Sequence, residues 1–496
     1  MSEKRPNLLF VTADQFRGDC LHCDGNEIIS TPNYDALASQ GVRFTRAYTP
    51  DPICVPARAT MISGNYPHKC TGVKANGGTL KEDQIKLPQL LADNGYRTYA
   101  SGKLHYQPYT PPGEPDTLYG FQMAALAESG RMLKHFDPED KLGGVEAYSD
   151  YLKTVGWGGY TRAHGIGNND VHPAASPLPE EHHVDAWVAS QALEYLDYHR
   201  ENHSEQPFYL NVGFPKPHSP YDPPRPWDAI YDPREMPEPY ISRDGSERNP
   251  FITSSAIQHG VNYMSPEAVK NARAHYYGLI SFQDKQFGRL VEYLKEHGLY
   301  ENTIIVFVAD HGDLMGDFGG FFKNVMQEAS TRVPFIISYP EGIKGGRVTD
   351  EFAGLQDVVP TVASLIGVEL DREVDGVDLA PLLKDEEFIG RDYIISYSLS
   401  SPWQTYMVRK DNWKYIYSEG NGTEELYDIE KDSGEEWNLA AAPEHRETLQ
   451  ELKQIMIDWS VENGDTELLV DGQPAVTPVD LSECGFIAKT MGWRWY

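Results

Sequence analysis

Short apolar runs ending in a charged residue alternate along this chain with longer stretches of three-to-four-residue periodicity. NLLFVTAD (7–14) predicts a buried strand that closes on an acid. TPNYDALASQG (31–41) has the marks of a helix, with Thr31 as N-cap, Pro32 in the first turn and Gly41 just past the end. LPQLLADNGYRTYASGK (87–103) predicts a helix closed by Gly95 and a strand ending near Lys103. Val184, Trp187, Val188, Ala192, Tyr195 and Leu196 form one helical stripe, and FYLNVGF (208–214) follows it as a strand. A long helical segment spans 267–297, and TIIVFVAD (303–310) and VPFIISYP (333–340) come next. Strands alternating with helices predict an α/β fold, a mostly parallel sheet wrapped on both faces, with ligands bound beyond the carboxyl ends of the strands.

From about residue 376 the rhythm changes. IISYS, TYMVRK, WKYIYS and EELYDI predict short antiparallel strands, with a hairpin turn at KDN (410–412). A helix follows, with Leu449, Leu452, Ile455, Met456 and Trp459 on one face. The chain therefore divides into a larger α/β domain over 1–375 and a smaller α+β unit over 376–496. Residues 106–180 and 219–265, rich in Pro, Gly, aromatics and carboxylates, predict the long loops that carry substrate selection.

Composition narrows the function. A net charge of −31 argues against nucleic acid or an anionic membrane as partner, and poses a puzzle if the substrate is itself an anion. The N-terminal apolar run is only LLFV, too short for a leader or a span, so a cytoplasmic location is expected. Five cysteines, at 20, 23, 54, 70 and 484, do not suit a disulfide framework, and the CxxC at 20–23 has no second pair at zinc-site spacing.

Chemistry gathers where the strands end: Asp14 and Gln15, Lys103 and His105, Lys216 and His218, then Asp310, His311, Gly312 and Asp313. Taken singly, each Asp is an N-cap, each Lys a solvated surface group and each His a hydrogen-bonded loop residue. Together, two carboxylates, an imidazole and an amide would enclose a hard divalent cation such as calcium or magnesium, with manganese admitted by the imidazole. That points to a metal-dependent hydrolase of anionic esters. In PDPICVPARATMISG (50–64) Pro52 and Pro56 stiffen the backbone around Cys54, and RATMISG predicts a short helix ending at Gly64 with its amides aimed back at the thiol. On its own this stretch reads as a buried structural thiol in a Pro-rich turn.

CVPAR followed by ATMISG resembles the sulfatase signature, C-x-P-x-R with a downstream glycine. The resemblance extends in order through TADQ, SGKLH, KPH, ADHGDLMGDFGGFFKN, DGVDLAPLL and DNWKYIY, most of the chain. It implies an alkaline phosphatase-like fold and conversion of Cys54 to formylglycine, an aldehyde that hydrates to a geminal diol, with Pro56 and Arg58 read by the maturation enzyme. By the same resemblance Asp14, Asp310 and His311 bind one divalent metal, Ca2+ before Mg2+ or Mn2+, together with a diol oxygen of residue 54. Gln15 stands where many members have a second metal-binding Asp. The Asp310–His311 pair, where many carry Asp–Asn, is similar to the choline sulfatase and phosphonate monoester hydrolase branches. Lys103, His218 and Lys323 match the positions that contact sulfate, Arg58 would steady the diol, and His105 would lie beside it. The charge puzzle then resolves into a local well of positive charge within an acidic protein.

The implied reaction is attack of one diol oxygen on sulfur, protonation of the departing alcohol by His218, and expulsion of sulfate once the second hydroxyl gives its proton to His105. A phosphonate monoester or phosphodiester hydrolase is the alternative within the fold, and a noncatalytic binding protein with an unmodified Cys54 is a third reading. The Tyr and Trp residues of the long loops favour a sulfated carbohydrate as the small substrate. The ending MGWRWY (491–496) is expected to dock on a neighbouring copy in a homo-oligomer or near the mouth of the site.

Overall fold

The computed structural model describes residues 5–107, 118–128, 146–246, 248–400, 403–482 and 484. The apolar runs assemble β1 (Asn7–Asp14), β2 (Val42–Tyr48), β3 (Arg97–Gly102), β4 (Met123–Leu126), β5 (Phe208–Pro217), β6 (Thr303–Ala309), β7 (Phe335–Ser338) and β8 (Arg347–Gly354). They form one sheet in the order β4-β3-β5-β1-β6-β7-β2-β8. Its pairings are parallel except at β7, which runs antiparallel to both neighbours. Every residue of β1, β5 and β6 is buried, the consequence of helices covering both faces. Pro32–Gln40, Val184–Asn202 and Pro266–Glu296 pack together as one group of helices, and Cys54–Ser63, Leu87–Asp93 and Val358–Ile366 belong to the other.

Three local expectations are modified. Thr31 precedes its helix but does not cap it; its hydroxyl donates to Asp35 Oδ1 at 3.1 Å and accepts from His22 N at 3.0 Å. Gly41 ends that helix in extended rather than left-handed backbone. A glycine is needed there for closeness, since a Cβ would lie 2.4 Å from the Ile337 carbonyl oxygen. The helix expected from Arg58 begins four residues earlier, at Cys54 itself, because Pro56 falls in the first turn, where its missing N–H has no intrahelical partner to lose. Gly64 closes it in the left-handed region at φ 76, as the sequence predicts.

The C-terminal strands β9 (Tyr393–Ser400), β10 (Trp403–Lys410), β11 (Trp413–Ser418) and β12 (Thr423–Asp428) form an antiparallel sheet in the order β12-β11-β10-β9. Lys410 pairs with Trp413, so Asp411 and Asn412 are the hairpin turn, with Asp411 at φ 50. Period-two alternation divides the two faces. Ile395, Tyr397, Tyr406 and Val408 bury against Leu449, Leu452, Met456 and Trp459 of the helix Arg446–Glu462. Ile394, Met407, Ile416 and Tyr427 bury against Tyr48, Met326 and Phe352 of the first unit. Ser396 Oγ donates to Thr49 O at 2.6 Å and Tyr397 N to Pro50 O at 2.9 Å. The second sheet thus anchors the segment that leads into Cys54.

All five cysteines are free thiols. Among the described residues no helix is long and apolar enough to cross a membrane. Met491–Tyr496, whose docking the sequence predicts, and 108–117 and 129–145 of the first long loop lie outside the described residues.

Candidate active site

β1 lies between β5 and β6, so the carboxyl ends of adjacent strands deliver Asp14 and Asp310 to one place. Just beyond Asp14 the backbone enters the left-handed region at Gln15 (φ 68), a conformation that costs about 1–2 kcal/mol for an ordinary residue. Two contacts hold it: Gln15 N donates to Asp310 Oδ1 at 2.9 Å, and Tyr276 OH donates to Gln15 O at 2.6 Å. His311 N also donates to Asp310 Oδ1, at 2.9 Å.

The ring of His311 is oriented from behind. Its Nδ1 is 3.0 Å from Gly312 O, which assigns the N–H to Nδ1 and turns Nε2 inward. Nε2 lies 3.3 Å from Cys54 Sγ, 3.8 Å from Asp14 Oδ1 and 3.6 Å from Asp310 Oδ1. Cys54, the first residue of its helix, places Sγ 3.9 Å from Asp14 Oδ1. One turn later Arg58 donates from Nε to Asp310 Oδ2 at 2.7 Å and from Nη1 to the carbonyls of Lys103 (3.3 Å) and Leu104 (3.4 Å). Its Nη2 is buried with no hydrogen-bond partner among the described residues.

Lys103 follows β3 and ion-pairs with Asp14 Oδ2. Lys323, half-buried, donates from Nζ to Gln15 Oε1 at 2.6 Å. Burial opposes ionisation of Asp14, but Lys103, His218, Arg58 and Lys323 outweigh it and hold the carboxyl well below its ordinary range. Burial, aided by Asp14, works to raise the Cys54 thiol; Lys323, Lys103 and His311 overcome both and bring it down to about 7. At His311 burial disfavours the charged ring, yet Asp310 and Cys54 prevail over it and over Lys323, so the imidazole is raised.

Asp14, Cys54, Asp310 and His311 are all buried, and one ligand atom from each lies within 4.8 Å of the others. Gln15, which the resemblance places beside the metal, has its amide engaged elsewhere, with Nε2 donating to Asp313 Oδ2 at 2.5 Å and Oε1 accepting from Lys323. Asp313 is scaffolding: it also accepts from Tyr221 OH (2.7 Å), Met315 N (2.9 Å) and Phe322 N (2.7 Å). Lys216 turns away from the strand end to bond Asp222, Pro220 O (2.7 Å) and His218 O (3.3 Å), bracing the loop that carries His218. His218 is buried with Nδ1 2.8 Å from Ser219 O, and His105 occupies the buried turn after Lys103.

A buried quartet of two carboxylates, an imidazole and the side chain of residue 54, ringed by two lysines and an arginine at the carboxyl ends of the central strands, could hold a divalent cation beside an anionic ester. Residues 6–368 match the family model "Sulfatase", and residues 316–462 match "N-sulphoglucosamine sulphohydrolase, C-terminal". The arylsulfatase of Clostridium perfringens is 32% identical over 467 residues, covering 91% of this chain and 94% of that protein. The choline-sulfatase of Rhizobium meliloti is 30% identical over 452 residues, covering 89% and 84%. The phosphonate monoester hydrolase of Agrobacterium radiobacter superposes with a TM-score of 0.75 over 95% of this chain and 100% of that one; at 24% identity this is a likeness of fold. The chain belongs to the sulfatase family and is a sulfuric ester hydrolase.

Proposed function

We propose that the protein hydrolyses the sulfate ester of a carbohydrate or another small organic alcohol, using formylglycine formed at Cys54 by a maturation enzyme, and one divalent cation, Ca2+ ahead of Mg2+ or Mn2+. The observation that carries this reading is the convergence of Asp14, residue 54, Asp310 and His311 within 4.8 Å. The donor set fits such an ion: carboxylate oxygens predominate, and the one imidazole has Nε2 turned inward by the Nδ1–H bond to Gly312 O. Bound there, a dication would lower the pKa of an oxygen ligand and offset the negative charge of the ester.

The chain's own residues supply the remainder. Lys103 and Lys323 set positive charge on residue 54 and hold the sulfate oxygens where their charge grows during reaction. Arg58 Nη2 offers a buried donor to an oxygen of residue 54 or of the substrate. His218, with Nδ1 2.8 Å from Ser219 O, has Nε2 left to give a proton to the leaving alcohol oxygen. His105, in the buried turn after Lys103, is the base for the proton of the second hydroxyl on residue 54. Gln15 acts by orienting Lys323 through its amide oxygen. The match of residues 316–462 to a sulphoglucosamine sulphohydrolase C-terminal model supports a carbohydrate sulfate.

The Asp310–His311 pair, with the fold likeness to a phosphonate monoester hydrolase, favours one second reading, hydrolysis of phosphonate monoesters or phosphodiesters. Parallel assays of the matured enzyme on an aryl sulfate, an aryl phosphonate monoester and an aryl phosphodiester distinguish the two. The sulfate should lead in kcat/KM by at least about tenfold, a difference of about 1.4 kcal/mol in transition-state binding. A lead for either phosphorus ester would displace sulfate as the substrate. A protein whose Cys54 is a thiol in its native host and which turns over none of the three would be a binding protein.

A further inference from the structure

The turn that presents Lys103 and His105 is held by a residue outside every motif noted above. After β3 the chain reverses: Lys103 N donates to Gly213 O at 2.7 Å, and His105 lies in the left-handed region at φ 46. A non-glycine residue persists there only when its surroundings impose the conformation. On one side Arg58 Nη1 holds the carbonyls of Lys103 and Leu104. On the other, the amides of Leu104 and His105 converge on a single atom, Glu128 Oε1, at 3.0 Å and 3.1 Å. Two successive N–H groups closing on one anionic oxygen form a small backbone nest.

Glu128 is itself held in place. It lies two residues past β4, the parallel neighbour of β3, and Ala127 N donates to Gly102 O at 3.0 Å. Its other oxygen, Oε2, is buried with no hydrogen-bond partner among the described residues, so the two amides are the hydrogen-bonding grip of this carboxyl.

We propose that Glu128 is a positioning residue, whose Oε1 fixes the Lys103–His105 turn and so sets the ammonium and the imidazole against the reacting group. This rests on the sulfatase reading given above. Accepting the two amides is distinct from supplying charge near Lys103 and Arg58, and substitutions separate the two: Glu128→Gln keeps the acceptor and drops the charge, while Glu128→Ala drops both.

The test is steady-state kinetics of the matured wild type, E128Q, E128A and E128M on an aryl sulfate, with inhibition by inorganic sulfate and thermal melting measured alongside. E128Q should retain kcat within about threefold, whereas E128A should lose about thirty- to a hundredfold in kcat, the scale of an ångström of misplacement, and bind inorganic sulfate more weakly. E128M, which keeps the bulk without the acceptor for the Leu104 and His105 amides, should be impaired as E128A is, the readout that loss of packing alone would not produce. If E128A does not fold, E128M carries the expectation in its place. Wild-type kcat in E128A, or equal impairment of E128Q and E128A, would overturn the role. A wild type inactive on every sulfate ester would instead reject the sulfatase reading, and the affinity of these proteins for inorganic sulfate would then decide the role of Glu128.

Discussion

Replacing Cys54 with serine is expected to lower turnover of an aryl sulfate by at least about 10⁴-fold while leaving Tm within a few degrees of wild type. The side chain of residue 54 is the one thiol in the buried quartet, 3.3 Å from His311 Nε2 and 3.9 Å from Asp14 Oδ1. Serine places an oxygen in the same spot, but it carries one hydroxyl where a hydrated formylglycine carries two, and it lacks the thiol on which the proposed maturation acts. Packing changes little, because the two side chains are close in volume and the buried serine hydroxyl has His311 Nε2 and Asp14 Oδ1 at hand as hydrogen-bond partners. Activity and stability should therefore part company. A serine variant with wild-type kcat would remove residue 54 from the chemistry altogether.

The second large effect is expected at Asp310. Its Oδ1 receives two amides, from Gln15 and His311, and its Oδ2 receives Arg58 Nε at 2.7 Å. Asp310→Asn retains an acceptor for the amides but removes one carboxylate of the proposed metal group and leaves the Arg58 guanidinium, 1% exposed, without its nearest counter-ion. Breaking a buried pair from one side costs about 3–5 kcal/mol. D310N should thus melt well below wild type, lose at least about a hundredfold in affinity for the activating cation, and fall about a thousandfold in kcat. Calorimetric titration with Ca2+, alongside melting, checks both. Unchanged cation affinity with a lowered Tm would reduce Asp310 to a structural anchor for Arg58.

Much of this was legible in the sequence because the strands are buried on both faces. Continuous apolar runs such as TIIVFVAD announce a covered parallel strand, and the residue at the carboxyl end of each run is where such sheets bind ligands. Asp14, Lys103, His218, Asp310 and His311 could all be found that way. Cys54 and Arg58 could not, because they lie on a helix, and only the resemblance of CVPAR to a known signature drew them in. Local chemistry was less readable. Lys216 and Asp313 stand at strand ends like their neighbours, yet one turns back to Asp222 and the other is saturated by backbone amides and Tyr221. Gly41 has the placement of a helix stop, but close approach of Ile337 is what requires it. The amide of Gln15 is bonded to Lys323 and Asp313 by a left-handed turn that its neighbours in sequence do not signal. Glu128 has no local signature at all, since its role depends on a parallel pairing between β3 and β4.

The most direct examination couples mass spectrometry of the peptide bearing residue 54 to specific activity, over preparations made with graded amounts of a formylglycine-generating enzyme. Turnover should climb in proportion to the aldehyde-bearing fraction, on a line through the origin. Full sulfatase activity from material in which that position is entirely thiol would contradict the account.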